Sequence, residues 1–403
     1  MRAGHGLILV VISLLLIGVV MVTSAGLTVG DDSGGTMTLH DLLLGRSALF
    51  AALAVALLLL GCRIPIGRVY SARGLASPIP WIVIGSIVLL ILVHVPGIGL
   101  EVNGARRWIR LGPLGFQPSE VAKWGLLIVL AWHAARRVGS MGDFRSGFLA
   151  PMALIAVICA LIVTEDLGTA VLIGMVGTLM ILAGGARLRH VALLVPFAAA
   201  GFAAAILSSP YRIDRLRAFL DPYQDPQGIG YHVLQSMAAV SGGGLPGRGL
   251  GNGLQKFGYL PEDTTDFIFA IICEELGIVG AAVVIGLYAT LLLCGLSIIR
   301  RAMHPFPRLL GLGILLTIGL QALMNLMVVT GLAPTKGIAL PLLSSGGTGW
   351  CLTAFCVGLL VSMDREHARE KAAWGDSGAP AGESLSPDHS AEEPHIHLIG
   401  EFG

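Results

Sequence analysis

The sequence predicts an all-α polytopic membrane protein, and two observations carry the prediction. Residues are 55% hydrophobic and only 13% charged, with a mean hydropathy of +0.81, whereas soluble domains carry roughly a quarter charged residues. Apolar stretches near the roughly 20 residues that a spanning helix needs recur along the chain, and one polar insertion of about 57 residues, 209–265, interrupts them. The expected architecture is about ten transmembrane helices, with a large extracytoplasmic loop between the seventh and the eighth.

The ten predicted spans are about 7–24, 47–62, 81–98, 119–135, 148–164, 168–184, 189–208, 266–298, 308–330 and 345–363. Several are short or interrupted by glycine, which leaves the count open by one. The first opens like a secretory h-region, but no small-residue cleavage site follows it cleanly, so it reads as a retained helix. Of the 26 Lys and Arg, 15 fall on the side of the N-terminus and ten on the opposite side, five of those in the insertion; Lys123 lies within a span. The positive-inside bias therefore places both termini in the cytoplasm and the 209–265 insertion outside. Six cysteines all lie in or beside spans, without metal-ligand spacing, and read as packing residues. Residues 1–371 form the membrane domain, and the Gly, Ser, Pro, Glu and His composition of 372–403 predicts a disordered cytoplasmic tail. A net charge of +1 with no basic stripe interleaved with aromatics gives no nucleic-acid site, and no motif for an organic cofactor is present.

Three exterior pieces carry chemistry. The fourth span opens with Pro118 and Ser119, good helix-start residues, and its Glu120 and Lys123 share one face at i,i+3. Asp166, at the exterior end of the fifth and sixth spans, is placed to reach Lys123. Ionisable groups in a span need a partner or a purpose, so the three form either a register-fixing ion pair or the floor of a cavity for an anionic ligand. The second piece, around Arg106, Arg107, Trp108 and Arg110, sets arginines suited to bidentate phosphate contacts beside an interfacial tryptophan. Its readings are a lipid-linked phosphate site or ordinary headgroup anchoring. The third is the insertion. Residues 212–220 have the spacing of an amphipathic helix on the outer face. The glycine-rich run around Arg248 allows close backbone approach and a possible N–H cradle for an anion, and Lys256 follows, then Glu262, Asp263 and Asp266. Asp263 reads as a helix cap. Asp266 stands where the loop meets the next apolar helix, a place for a general base whose basicity partial desolvation would raise.

The segments Asn103-Gly-Ala-Arg-Arg-Trp-Ile, Phe116-Gln-Pro-Ser-Glu-Val-Ala-Lys, Glu165-Asp-Leu-Gly-Thr-Ala, Gly249-Leu-Gly-Asn-Gly-Leu-Gln-Lys, Thr265-Asp-Phe-Ile-Phe-Ala, Glu274-Glu-Leu-Gly and Pro341-Leu-Leu-Ser-Ser-Gly-Gly-Thr resemble, in order and over about 7–363, the SEDS family (shape, elongation, division and sporulation) of bacterial FtsW/RodA/SpoVE proteins. The resemblance implies a peptidoglycan glycosyltransferase in the bacterial cytoplasmic membrane that polymerises lipid II beside a class B penicillin-binding transpeptidase and other divisome or elongasome membrane proteins. It carries the essential aspartate onto Asp266 and the cavity cluster onto Glu120, Lys123 and Asp166. Ala333-Pro-Thr-Lys336-Gly is similar to the division-type FtsW and places Lys336 among the site residues. Ser344-Ser345-Gly-Gly-Thr348 stands where the family commonly has Ser-Tyr-Gly-Gly-Ser, which keeps Ser344 a cavity candidate, and Thr164-Glu-Asp-Leu-Gly replaces Gln-Pro-Asp-Leu-Gly. Asp266 would deprotonate the acceptor 4-hydroxyl, while Arg107, Lys123, Arg248 or a divalent cation (Mg²⁺ or Mn²⁺, with Asp266 the candidate ligand) steadies the leaving undecaprenyl diphosphate. The rival readings are a lipid II flippase and a non-catalytic divisome scaffold.

Overall fold

The computed structural model describes residues 3–26, 39–72, 74–102, 105–111, 114–255, 260 and 263–377. Helices dominate: α1 (Ala3–Ala25), α2 (Leu39–Leu44), α3 (Arg46–Gly61), α4 (Ile66–Ser71) and α5 (Pro78–Leu92) precede a small sheet. After it come α6 (Pro118–Arg136), α7 (Leu149–Val163), α8 (Leu167–Ala183), α9 (Leu188–Leu207), α10 (Pro210–Leu220), α11 (Tyr231–Gly242), α12 (Ile268–Arg301), α13 (Pro305–Val329) and α14 (Gly347–Ser377). Each of the ten apolar stretches expected from the sequence overlaps one of these helices, although the third, 81–98, runs past the end of α5 at Leu92. Six helical segments are long and apolar enough to cross a membrane by length and composition: α1, Phe144–Val163, α9, α12, α13 and Gly347–Arg369; α3, α5 and α8 are shorter apolar helices. The molecule is a polytopic membrane protein.

Local sequence sets the helix starts. Ser77 caps α5 by accepting from Ile79 N–H, with Pro78 in the first turn, and Pro118 opens α6, positions where a missing N–H costs nothing. Asp166 is the N-cap of α8, accepting from Thr169 N–H at 2.9 Å. Glycine governs close packing between helices, as is common in lipid: a Cβ on Gly61 of α3 would lie 2.4 Å from the Phe355 carbonyl oxygen of α14. The helix α9 has no buried residue at all. At one face the start of α1 meets the far half of α14, where Gly4 N–H donates to the Asp364 carboxylate at 3.2 Å. Both described ends of the chain therefore share a face.

The exterior piece that carries Arg106, Arg107, Trp108 and Arg110 is an antiparallel meander, β1 (Gly99–Val102), β2 (Ala105–Leu111) and β3 (Leu114–Phe116), in the order β1-β2-β3. Leu100 pairs with Trp108 and Ile109 with Phe116, with a register shift after Leu100. The sequence signal for it is the Asn-Gly dipeptide between β1 and β2, the strongest short-range hairpin cue. Trp108 and its neighbours thus sit on a rigid element. The insertion is also ordered where it is described: α10 is the expected amphipathic helix, and α11 follows it.

The glycine-rich run is no anion cradle for a ligand, because the protein supplies its own anions. Helix α12 breaks at Gly277, whose φ of 65° is a left-handed value that glycine tolerates. Into the break goes the loop 243–255: Arg248 and Gly249 N–H donate to the carbonyls of Glu274 and Glu275, and Ile278 N–H donates to Gly244, each at 3.0 Å. The buried Glu274 and Glu275 carboxylates then accept four more of the loop's amides, Glu275 from Gly251 (3.1 Å) and Gly253 (3.3 Å), Glu274 from Leu254 (2.9 Å) and Gln255 (3.2 Å). Ser24 of α1 donates to Glu275. Arg248 belongs to this knot, 3.6 Å from Glu274. Helix α14 runs to Ser377, past the expected boundary at 371, and residues 378–403, which include most of the predicted tail, lie outside the described residues.

Candidate functional site

Opposite the face that holds the chain ends, a cavity of about 1780 Å³ opens between β2, the N-terminal ends of α6 and α8, helices α9 and α10, and the segment 334–350. Its walls carry seven cationic side chains (Arg46, Arg107, Arg110, Lys123, Arg212, Arg215 and Lys336) against four acidic ones (Glu120, Glu165, Asp166 and Asp266). That imbalance suits an anion. The way the arginines are held reinforces it. Arg107 Nε donates to the Glu165 carbonyl at 2.8 Å, Arg215 Nη1 to the Thr335 carbonyl at 3.1 Å, and Arg212 to the carbonyls of Ala205, Val163 and Thr164. Neutral carbonyls orient these guanidinium groups without cancelling their charge.

Asp266 sits half-buried just before α12. Its Oδ2 and Arg107 Nη1 converge on Gly337: a Cβ placed there would lie 3.5 Å from the carboxylate oxygen and 3.1 Å from the guanidinium nitrogen. Glycine at 337 keeps open the space between them. Next to it, Lys336 is held below its ordinary lysine value by burial, an effect that the nearby Asp166 carboxylate partly reverses. Keeping a cation in such surroundings works against stability and is characteristic of functional sites.

The cavity floor differs from the expected three-member network. Lys123 Nζ, almost fully buried, bonds Glu120 Oε1 at 2.7 Å and Gln321 Oε1 at 2.9 Å. Asp166 does not join it, because its two oxygens are taken by the N–H and the hydroxyl of Thr169 (2.9 and 2.8 Å) at the start of α8, and its cationic neighbour is Lys336. Glu120 Oε2 is buried without a hydrogen-bond partner.

Three other candidates fall away from the cavity. Arg106 turns its side chain to the exposed Glu101 at 3.4 Å and offers the site only its backbone N–H, which binds Glu165 Oε2 at 2.6 Å. Arg248 is committed to the Glu274 knot. Ser344 is buried and closes a turn by accepting from Leu340 N–H at 2.7 Å, while the adjacent Ser345 is the one that lines the cavity. Lys256 and Glu262 lie outside the described residues. Gln321 and Asn325, which the sequence reading passed over, are central: Gln321 bridges Lys123 to the Ala339 carbonyl, and Asn325 bridges the carbonyls of Asp266 and Ile338, each at 2.8 Å. Their signal was available as two polar amides one turn apart in an apolar span.

No group of three or more His, Cys, Asp or Glu converges among the described residues, so a closed protein cage for a cation is not built there. A Mg²⁺-type ion needs only one or two carboxylates plus substrate phosphates, and Asp266 is placed to be such a carboxylate.

Known proteins of one family are similar to this chain over nearly its whole length. A family model described as cell cycle protein, FtsW/RodA/SpoVE, matches residues 5–369. A probable peptidoglycan glycosyltransferase FtsW of Geobacter metallireducens is 37% identical over 360 residues, covering 89% of this chain and 93% of that protein. One of the same description from Thioalkalivibrio sulfidiphilus is 40% identical over 369 residues, covering 91% and 90%. Among solved structures, a chain of a peptidoglycan synthase complex that coordinates polymerization and crosslinking superposes with a TM-score of 0.70 at 30% identity, covering 90% of this chain and 98% of that one. The rod shape determining protein RodA of Thermus thermophilus gives 0.63 at 27% identity, covering 90% and 96%.

Proposed function

The chain belongs to the FtsW/RodA/SpoVE family and is a glycosyltransferase, and we propose that it polymerises lipid II into peptidoglycan glycan strands with Asp266 as the general base. The observation that carries this reading is the convergence of the Asp266 carboxylate and the Arg107 guanidinium on Gly337 at a cavity with excess positive charge. Asp266 accepts the proton of the acceptor sugar 4-hydroxyl while that oxygen bonds to the donor's anomeric carbon. The bond from that carbon to undecaprenyl diphosphate breaks with inversion. Negative charge grows on the leaving diphosphate, and preorganised cations are what lowers its energy. Arg107, Lys336 and Arg215 take that role. A divalent cation, Mg²⁺ or Mn²⁺, held by Asp266 together with the diphosphate, would add Lewis-acid neutralisation of the same charge.

The prenyl tail needs a lipid-facing entrance, and the poorly packed α9 borders the cavity through Phe202 and Ile206. In the proposed orientation both termini are cytoplasmic and the cavity, the meander and the 209–265 insertion are extracytoplasmic, in the bacterial inner membrane. The partner is a class B penicillin-binding transpeptidase, within a divisome or elongasome assembly. The solved complex supports that assignment, because its chain is similar to this one over nearly its whole length.

The test is glycan synthesis from labelled lipid II by the purified protein with its transpeptidase partner. Asp266→Asn, which keeps shape and removes the base, is expected to abolish polymer while leaving insertion and folding intact. Near-normal polymer from Asp266→Asn would remove Asp266 from this role, and lipid translocation without polymer would favour a flippase.

A further inference from the structure

We infer that Asn325, with Gln321 one turn before it, is a positioning residue: a clamp on α13 that fixes Asp266 and the segment 336–339 relative to each other. The inference deepens the proposed function, because it takes Asp266 as the reacting carboxylate.

Asp266 immediately precedes the N-cap of α12, and Ala270 and Ile271 N–H both turn to the Phe267 carbonyl. The Asp266 carbonyl therefore has no helical donor from those amides. The segment 334–340 is neither helix nor strand and belongs to no sheet, so its carbonyls also need donors, as buried carbonyls generally do. One side chain serves both. Asn325, 1% exposed, donates from Nδ2 to Asp266 O and to Ile338 O, each at 2.8 Å. Both partners are acceptors, so the amide can be oriented in only one way, and this leaves Oδ1 buried without a partner. A residue chosen for packing alone would not leave an orphaned acceptor in the core. The two donated bonds are what the position needs.

Gln321 repeats the arrangement one turn earlier. Its Nε2 donates to Ala339 O at 2.8 Å and its Oε1 accepts from Lys123 at 2.9 Å. The two amides thus hold consecutive residues, 338 and 339, beside Gly337, where Asp266 and Arg107 converge. A second tie, Ser345 N–H to the Thr264 carbonyl at 2.8 Å, joins the chain just before Asp266 to the chain beyond 340. The buried Glu120–Lys123 pair acquires a role in this scheme: it anchors the Gln321 end of the clamp.

The test compares the full-length protein, in complex with its transpeptidase, as wild type, Asn325→Leu (same branching and heavy-atom count, no donor) and Val328→Ala, a control that opens a cavity at a buried position on the same helix. Misplacing a reacting group by about 1 Å can cost on the order of a hundredfold in rate. Asn325→Leu is therefore expected to lower kcat by about tenfold to a hundredfold per folded molecule, with KM for lipid II little changed. Hydrogen exchange should quicken only in peptides covering 264–271 and 336–340. Val328→Ala should lower thermal stability without lowering kcat per folded molecule. The inference is overturned if Asn325→Leu retains wild-type kcat, or if it loses activity only in step with folded protein, as a structural lesion does. If the wild type makes no glycan while Asn325→Leu still shows the localised exchange, the clamp stands and the lipid II reading falls.

Discussion

Replacing Lys123 with Met should destabilise the protein severely, and adding Glu120→Gln should restore most of the loss. The pair lies at 2.7 Å with side chains 3% and 12% exposed, where the attraction is about 6 kcal/mol at an effective dielectric near 20. Desolvation of two ions offsets most of that, so the intact pair adds little net stability. Breaking it is another matter. Lys123→Met strands a buried carboxylate whose second oxygen already lacks a partner, and such uncompensated charges cost about 3–5 kcal/mol. Gln321 also loses its donor, which adds about 1 kcal/mol. Glu120→Gln alone strands the ammonium, but Gln321 still accepts from it, so its cost falls near the lower end, about 3 kcal/mol. The double variant contains no stranded charge and should cost about 1–3 kcal/mol, giving a coupling of at least about 4 kcal/mol. Equilibrium unfolding of the four proteins in one detergent and lipid mixture measures the cycle. Additivity within about 0.5 kcal/mol would mean that the two charges do not depend on each other, and the account of the cavity floor would be wrong.

Two further predictions concern Lys336 in the wall of the site and the break in α12. Lys336 is held below its ordinary value near 10.5, first by burial; a lysine whose folded value lies below the unfolded one costs the folded state stability on the acid side of the window between the two values, and stability rises as pH climbs through that window. Lys336→Met should therefore raise the thermal midpoint at pH 7 and flatten that alkaline rise while lowering glycan synthesis, and an unchanged midpoint would count against the burial argument. Gly277→Ala should prevent correct folding, since its Cβ would meet Gly247 N and Leu245 O at 2.4 Å at a φ of 65°; limited proteolysis should show a cleavable 243–255 loop, and wild-type resistance would refute the account of the α12 break.

Burial needs of single segments were legible in the sequence. Apolar stretches have one solution in lipid, the helix, so composition and spacing sufficed to place the helical stretches, and the charges left in α6 by themselves marked Glu120 and Lys123, whose i,i+3 spacing the structure turns into contact. The position of Asp266 at the entrance to α12 was equally a local fact. What each charge faces depends on which segments fold back together, and that only the tertiary structure decided. Asp166 could reach Lys123 by sequence position, but the Thr169 amide and hydroxyl claim it first. Arg248 and the glycine run looked like an anion cradle, yet Glu274 and Glu275 lie some 20 residues along the chain and fill it. Arg106 and Arg107 are adjacent in sequence and part company because a strand sends neighbours to opposite faces: one goes to Glu101 and the other to Gly337 beside Asp266. A carboxylate or amide takes whichever donor or acceptor the fold brings within about 3 Å, and that choice is made by contacts between segments far apart in the chain.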